Sequence, residues 1–260
     1  MFNKKSAIAL LLSAPLLTTP AWATDPEIMV HEPDLAERGE IVATLHANYT
    51  TRGNRETDDY TWPSHRELNL MAEFATGLAP GWEVGIHLPV RRAGVDSPSS
   101  SAGDWGATAV MFRLKHITEH ESGFFYGFNA EYDYFARRFD TASRGIEFRG
   151  IVGYDHERFR LTFNPTFAWG FGRDAENNKA DFGLDAKFLY KASDKLAYGV
   201  ETYSDWGRYD HLRPGNGGRV IYLVSEFEVA KDHALHVGIG KGYRDAAERT
   251  VLKAVWATSF

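Results

Sequence analysis

From Glu40 to the C-terminus the sequence alternates. Apolar or aromatic residues take every second position over stretches of about ten residues, the length a tilted strand needs to cross a bilayer. Polar connections separate these stretches, short and long in turn. The first sets Ile41, Ala43, Leu45, Ala47 and Tyr49 against Thr44, His46 and Asn48. The second sets Leu68, Leu70, Ala72 and Phe74 against Glu67, Asn69, Met71 and Glu73. After the Ala79-Pro80-Gly81 turn the third sets Trp82, Val84, Ile86, Leu88 and Val90 against Glu83, Gly85, His87 and Arg91. Pro89 falls near the end of that strand, where a missing ladder donor is tolerated.

The pattern continues past a Ser-rich loop. The fourth strand carries Thr108, Val110, Phe112 and Leu114 opposite Arg113 and Lys115; the fifth carries Phe124, Tyr126, Phe128, Tyr132 and Tyr134 opposite Asn129, Glu131 and Asp133. In the sixth, Ile146, Phe148, Val152 and Tyr154 oppose Glu147 and Arg149; in the seventh, Phe159, Leu161, Phe163, Pro165, Phe167 and Trp169 oppose Arg160, Thr162 and Asn164. The eighth sets Phe182, Leu184, Phe188 and Tyr190 against Asp181, Asp185 and Lys187, and the ninth sets Leu196, Tyr198, Val200 and Trp206 against Glu201, Tyr203 and Asp205. For the tenth, Ile221, Leu223, Phe227 and Val229 are placed outward, because the other register would aim Glu226 and Glu228 at lipid. The eleventh carries Leu235, Val237 and Ile239 opposite His236, and the twelfth carries Leu252, Trp256 and Phe260 opposite Lys253.

An apolar face that continuous, backed by one that charged, does not make a sandwich core. It predicts an all-β protein, a transmembrane antiparallel up-and-down β-barrel of about 12 strands over residues 40–260, with both termini periplasmic. The aromatics then sort by height without further adjustment: Tyr49, Tyr134, Trp169 and Trp206 at the outer interface, and Trp82, Tyr154, Tyr190, Tyr198 and Phe260 at the periplasmic one. Trp256 and the terminal Phe260 also resemble the closing strand that the outer-membrane barrel assembly machinery reads as its signal.

The N-terminus fits that address. Asn3-Lys4-Lys5, an apolar core from Ala7 to Leu17 and Ala21-Trp22-Ala23 have the layout of a secretory signal peptide, expected over 1–23. Its removal takes away Lys4 and Lys5 and moves the net charge from −6 to −8. Residues 24–39, polar and without alternation, read as a periplasmic lead-in. The expected location is the Gram-negative outer membrane, with its lipid as a partner.

Composition narrows the chemistry. Cysteine is absent, which excludes disulfides and thiolate metal sites, and the acidic balance argues against nucleic acid. Aromatic residues reach 14%, as the girdles of such barrels require. The residues expected to line the lumen carry both signs: His46, Glu73, Glu83, His87, Arg91, Arg113, Glu131, Asp133, Glu147, Arg149, Arg160, Asp185, Lys187, Glu201, Glu226, Glu228 and Lys253. They either line a water-filled pore or pair and partly close it. No catalytic, cofactor or metal set is indicated: His46, His87 and His236 point inward from separate strands, without local ligand spacing.

Several stretches resemble a proteobacterial family of outer-membrane barrels named for the MetA pathway of phenol degradation and described as transporter-like. These are Glu73–Val90, Gly103-Asp104-Trp105-Gly106 through Lys115, Leu161-Thr162-Phe163-Asn164-Pro165 and Gly199-Val200-Glu201-Thr202-Tyr203. In place of that family's polar pair, the first turn here is Ala79-Pro80-Gly81. The resemblance implies passage of small aromatic or apolar compounds and supplies no catalytic residues. The expected function is a narrow channel for small solutes, with loops 50–65 and 207–218 as candidate gates. The alternatives are a lipid-modifying outer-membrane enzyme and a closed structural or adhesive barrel.

Overall fold

The computed structural model describes residues 27–55, 63–95, 103–137, 139–140, 142–172, 179–213 and 217–260. The expected signal peptide and parts of both candidate gate loops lie outside the described residues. The strands are β1 (Ile41–Gly53), β2 (Glu67–Ala79), β3 (Trp82–Arg92), β4 (Trp105–Ala107), β5 (Ala109–Glu119), β6 (Phe124–Phe135) and β7 (Arg144–Asp155). They continue as β8 (Phe159–Phe171), β9 (Asp181–Ser193), β10 (Leu196–Arg208), β11 (Arg219–Ala230), β12 (His233–Tyr243) and β13 (Glu248–Ser259). Each pairs antiparallel with its neighbour, and β1 pairs with both β2 and β13, so the sheet closes on itself and leaves no edge. Because β4 and β5 are two pieces of one stave, the barrel has the twelve staves that the alternation predicts.

The break between β4 and β5 has a local cause. Val90 pairs with Ala107, but three pairs further along His87 meets Met111, so this stave holds one residue more than β3. The extra residue is accommodated where Pro89 has no N–H to give. Its carbonyl instead accepts both the Thr108 N–H, at 3.1 Å, and the Thr108 hydroxyl, at 3.4 Å. A bulge of this kind shifts the side-chain phase by one. Trp105 and Ala107 therefore face out before it, and Val110 and Phe112 after it. Thr108 itself, expected outward, is half-buried.

Elsewhere the outward sets match those expected. In the tenth stretch, Leu223 is 64% exposed whereas Tyr222 is 1% exposed, so β11 takes the expected register. The connections at the rim where the strand ends Ile41 and Phe260 exchange backbone hydrogen bonds, at 3.3 and 3.0 Å, are all short; the long ones lie at the other rim, together with the short link between β12 and β13. Trp82 stacks on His116 at the short-turn rim, with ring centroids 4.3 Å apart.

Residues 27–37, expected as part of a lead-in, run inside the barrel. Ile28 packs against Leu189, Tyr222, Val224 and Val251, and Leu35 against Ile117, Phe125 and Ile151. The segment crosses the rim over Gly77, where a Cβ would stand 2.4 Å from the Ala36 carbonyl oxygen. A stretch without strand neighbours must find other partners for its backbone polar groups. Here the inward side chains of the wall supply them.

Candidate functional site

The lumen is the candidate site, and period-2 alternation is what builds it. Each strand that turns an aliphatic or aromatic residue to the outside turns its neighbour in, and the inward neighbours are charged. His46, Glu73, Glu83, His87, Arg91, Arg113, Glu131, Asp133, Arg149, Lys187, Glu201 and Lys253 are all buried. Glu147, Arg160, Asp185 and Glu226 are half-buried on the same face. Glu228 is different. It lies exposed at the short-turn rim beside the register shift at the end of β11, 4.0 Å from Lys195.

The charges fall into connected groups. In the wall formed by β2, β3 and β5, Arg113 bonds Glu73 and Glu83, each at 2.6 Å, and lies flat across Gly85, where a Cβ would stand 3.1 Å from its Nε. His46 approaches Glu73 at 3.4 Å. Nearer the long-loop rim Arg91 pairs with Glu67 at 2.5 Å and donates to Asn69 at 2.9 Å. Across the lumen, Lys187 bonds Glu226 and Lys253 bonds Glu201. His236 bridges Glu201 and Glu226, at 3.3 and 3.2 Å, and the Tyr203 hydroxyl donates to Glu201 at 2.7 Å. Buried charges endure only when paired in this way.

The N-terminal segment joins the groups. Asn164 clamps the His31 backbone, accepting from its N–H at 2.7 Å and donating to its carbonyl at 3.1 Å. Lys253 donates to the Ile28 carbonyl at 3.1 Å, Arg149 to that of Met29 at 3.3 Å and Lys115 to that of Asp34 at 2.8 Å. Glu32 pairs with Lys187 at 2.6 Å, Asp34 with Arg160 at 2.9 Å, and the Ala36 N–H donates to Glu83 at 2.6 Å. These contacts reach from β3 round to β13. The segment thus occupies the space between opposite walls.

No known protein family matches the sequence, and neither does any curated protein. Solved structures do match. One is the COG4313 outer membrane channel from Pseudomonas putida F1, at 10% identity and a TM-score of 0.61, covering 90% of this chain and 100% of that one. The fold is that of outer-membrane barrels. The NanC porin aligns at 8% identity and a TM-score of 0.57, covering 84% of this chain and 98% of its own. The KdgM porin gives 8%, 0.55, 84% and 99% for the same quantities.

The alternation brought the inward charges into view but not the segment between them. One signal does point to it. Lys253 sits opposite Asn48 on one side and Gly238 on the other, so no neighbouring strand offers it an acid. Such a cation needs a partner from across the lumen or within it, and it has both. Of the candidate gate 207–218, the described part is tied down: Asp210 pairs with Arg208 and Lys179, whose hydrogen bonds hold its carboxyl down at about 2.

Proposed function

We propose that this chain is an outer-membrane channel for small solutes, with its own N-terminal segment seated in the lumen. The carrying observation is the closed barrel with an apolar exterior and a lumen lined by paired charges, a surface that supports water and polar solutes. Conduction follows when residues 27–37 shift from the wall groups that hold them. Mixed signs along the wall disfavour strong anion or cation selectivity. The motif resemblance adds a finer reading: kinship with the phenol-pathway transporter-like family and a small aromatic or apolar cargo. Export through the signal peptide, a lipid-facing outer surface and recognition of Trp256 and Phe260 by the barrel assembly machinery complete it. Both of those residues are exposed on the outside of the last strand, as such recognition requires.

The solute class is tested by swelling of liposomes that carry the refolded protein. Faster entry of small solutes than into protein-free liposomes supports the channel; no difference for any solute points to a closed structural barrel. His46 and His87 are wholly buried in the lumen, away from any lipid-facing rim, which disfavours the lipid-modifying enzyme.

A further inference from the structure

Glu27, at the inner end of the segment, belongs to two groups of metal-ligating side chains. One is Glu27, His31 and Glu131; the other is Glu27, Glu73 and His87. In each, one ligand atom per residue lies within 4.8 Å of every other. All five residues are buried, and both imidazoles are fully so. His31 Nε2 stands 3.1 Å from Glu27, while His87 places Nε2 3.6 Å from Glu73 and Nδ1 3.8 Å from Glu131. Neither ring nitrogen of His87 has a hydrogen-bond partner, nor does Nδ1 of His31.

Buried imidazole nitrogens left in this way are costly. The separations around His87 are too long for hydrogen bonds. They suit ligands of a shared ion, since two atoms each about 2.1 Å from a tetrahedral centre stand about 3.4 Å apart. The neighbours favour the arrangement. Arg113 neutralises Glu73, and Asn129 donates to one oxygen of Glu131 at 2.6 Å, leaving the other toward His87. Imidazole with carboxylate and without thiolate is a ligand set for a borderline divalent ion. The ligands come from two separate strands and the segment, so no sequence spacing reveals them.

We propose that the lumen binds one divalent cation of the zinc class through the Glu27, His31 and Glu131 group, with His87, 3.8 Å from Glu131, closing on the ion as a fourth ligand, tying the N-terminal segment to β3 and β6. The proposal deepens the segment-occupied channel described above. A bound ion holds the segment in place and opposes conduction.

Mature protein, refolded in detergent and stripped with chelator, is titrated with Zn²⁺ by calorimetry, and the bound metal is then counted after desalting. About one equivalent per chain is expected, with affinity falling about tenfold or more in His87→Gln and in His31→Gln. His31→Gln keeps the backbone clamp to Asn164, so this variant decides the matter if the other does not refold. His120→Gln, at the short-turn rim, should bind as the parent does. Absence of tight binding, or binding unchanged in both lumen variants, overturns the site. Zn²⁺ binding by a barrel that never conducts would support the site and sink the channel reading; conduction without Zn²⁺ binding would do the reverse.

Discussion

Lys253 on β13 bonds the carboxylate of Glu201 on β10, reaching past two intervening strands. Gly238 on β12 makes the reach possible, because a Cβ there would stand 3.1 Å from the lysine Cε. The same ammonium holds the Ile28 carbonyl at 3.1 Å, so one side chain ties wall to wall and wall to segment. Removing one partner of a buried pair leaves the other charge stranded. Lys253→Met is therefore expected to destabilise the barrel by about 3–5 kcal/mol, read from urea unfolding in detergent. The double variant Lys253→Met with Glu201→Gln should recover part of that loss.

The rim crossing depends on a missing side chain. Gly77→Val would drive a methyl into the Ala36 carbonyl and the Glu37 backbone, 2.4 and 2.7 Å from the first added carbon. The segment should lift away while the barrel remains. Trypsin would then cut after Arg38 about tenfold faster or more, tracking the larger open population. Unchanged cleavage would place the segment's anchorage elsewhere.

Position along the outer face sets the cost of a charge. Leu223→Arg, in the middle of β11, should lower stability by about 2–4 kcal/mol, whereas Val229→Arg, at the rim, should cost about 0–1. Both residues are well exposed on the outside. Equal costs in lipid vesicles would mean that this face does not meet a hydrocarbon core.

Recognition of the terminal aromatics by the assembly machinery, as proposed above, is a role that folding in a test tube would not need. Deleting Phe260 should cut the amount assembled in a cell's outer membrane severalfold while leaving detergent refolding intact. Its backbone bonds to Ile41 join the closing strands, so a refolding defect would point to barrel closure instead.

Much of the barrel was legible in the sequence because alternation is a local property. A strand with Phe124, Tyr126 and Tyr134 on one face and Glu131 and Asp133 on the other can point only one way in lipid. The bulge at Thr108 was not legible, since Pro89 reads as a strand-end residue until its unmatched partner appears. The position of residues 27–37 was hidden for a different reason. Their contacts with the wall are to residues more than 40 positions away, such as Ala36 to Glu83 and Ile28 to Lys253, and most run through backbone atoms that carry no sequence signal. Several of the paired charges were legible as inward residues but not as partners, because a pair such as Lys253 and Glu201 reaches past two strands, unlike Arg91 and Glu67, which sit on neighbouring ones.

The most direct measurement is single-channel recording in a planar bilayer, comparing the mature chain with one lacking residues 27–37. A lumen lined by paired charges and occupied by its own segment predicts small or rare conductance steps for the mature chain and larger, persistent ones for the truncated chain. Equal conductance in the two would show that the segment does not occupy the conduction path, and silence from both would show that the paired charges alone close the barrel.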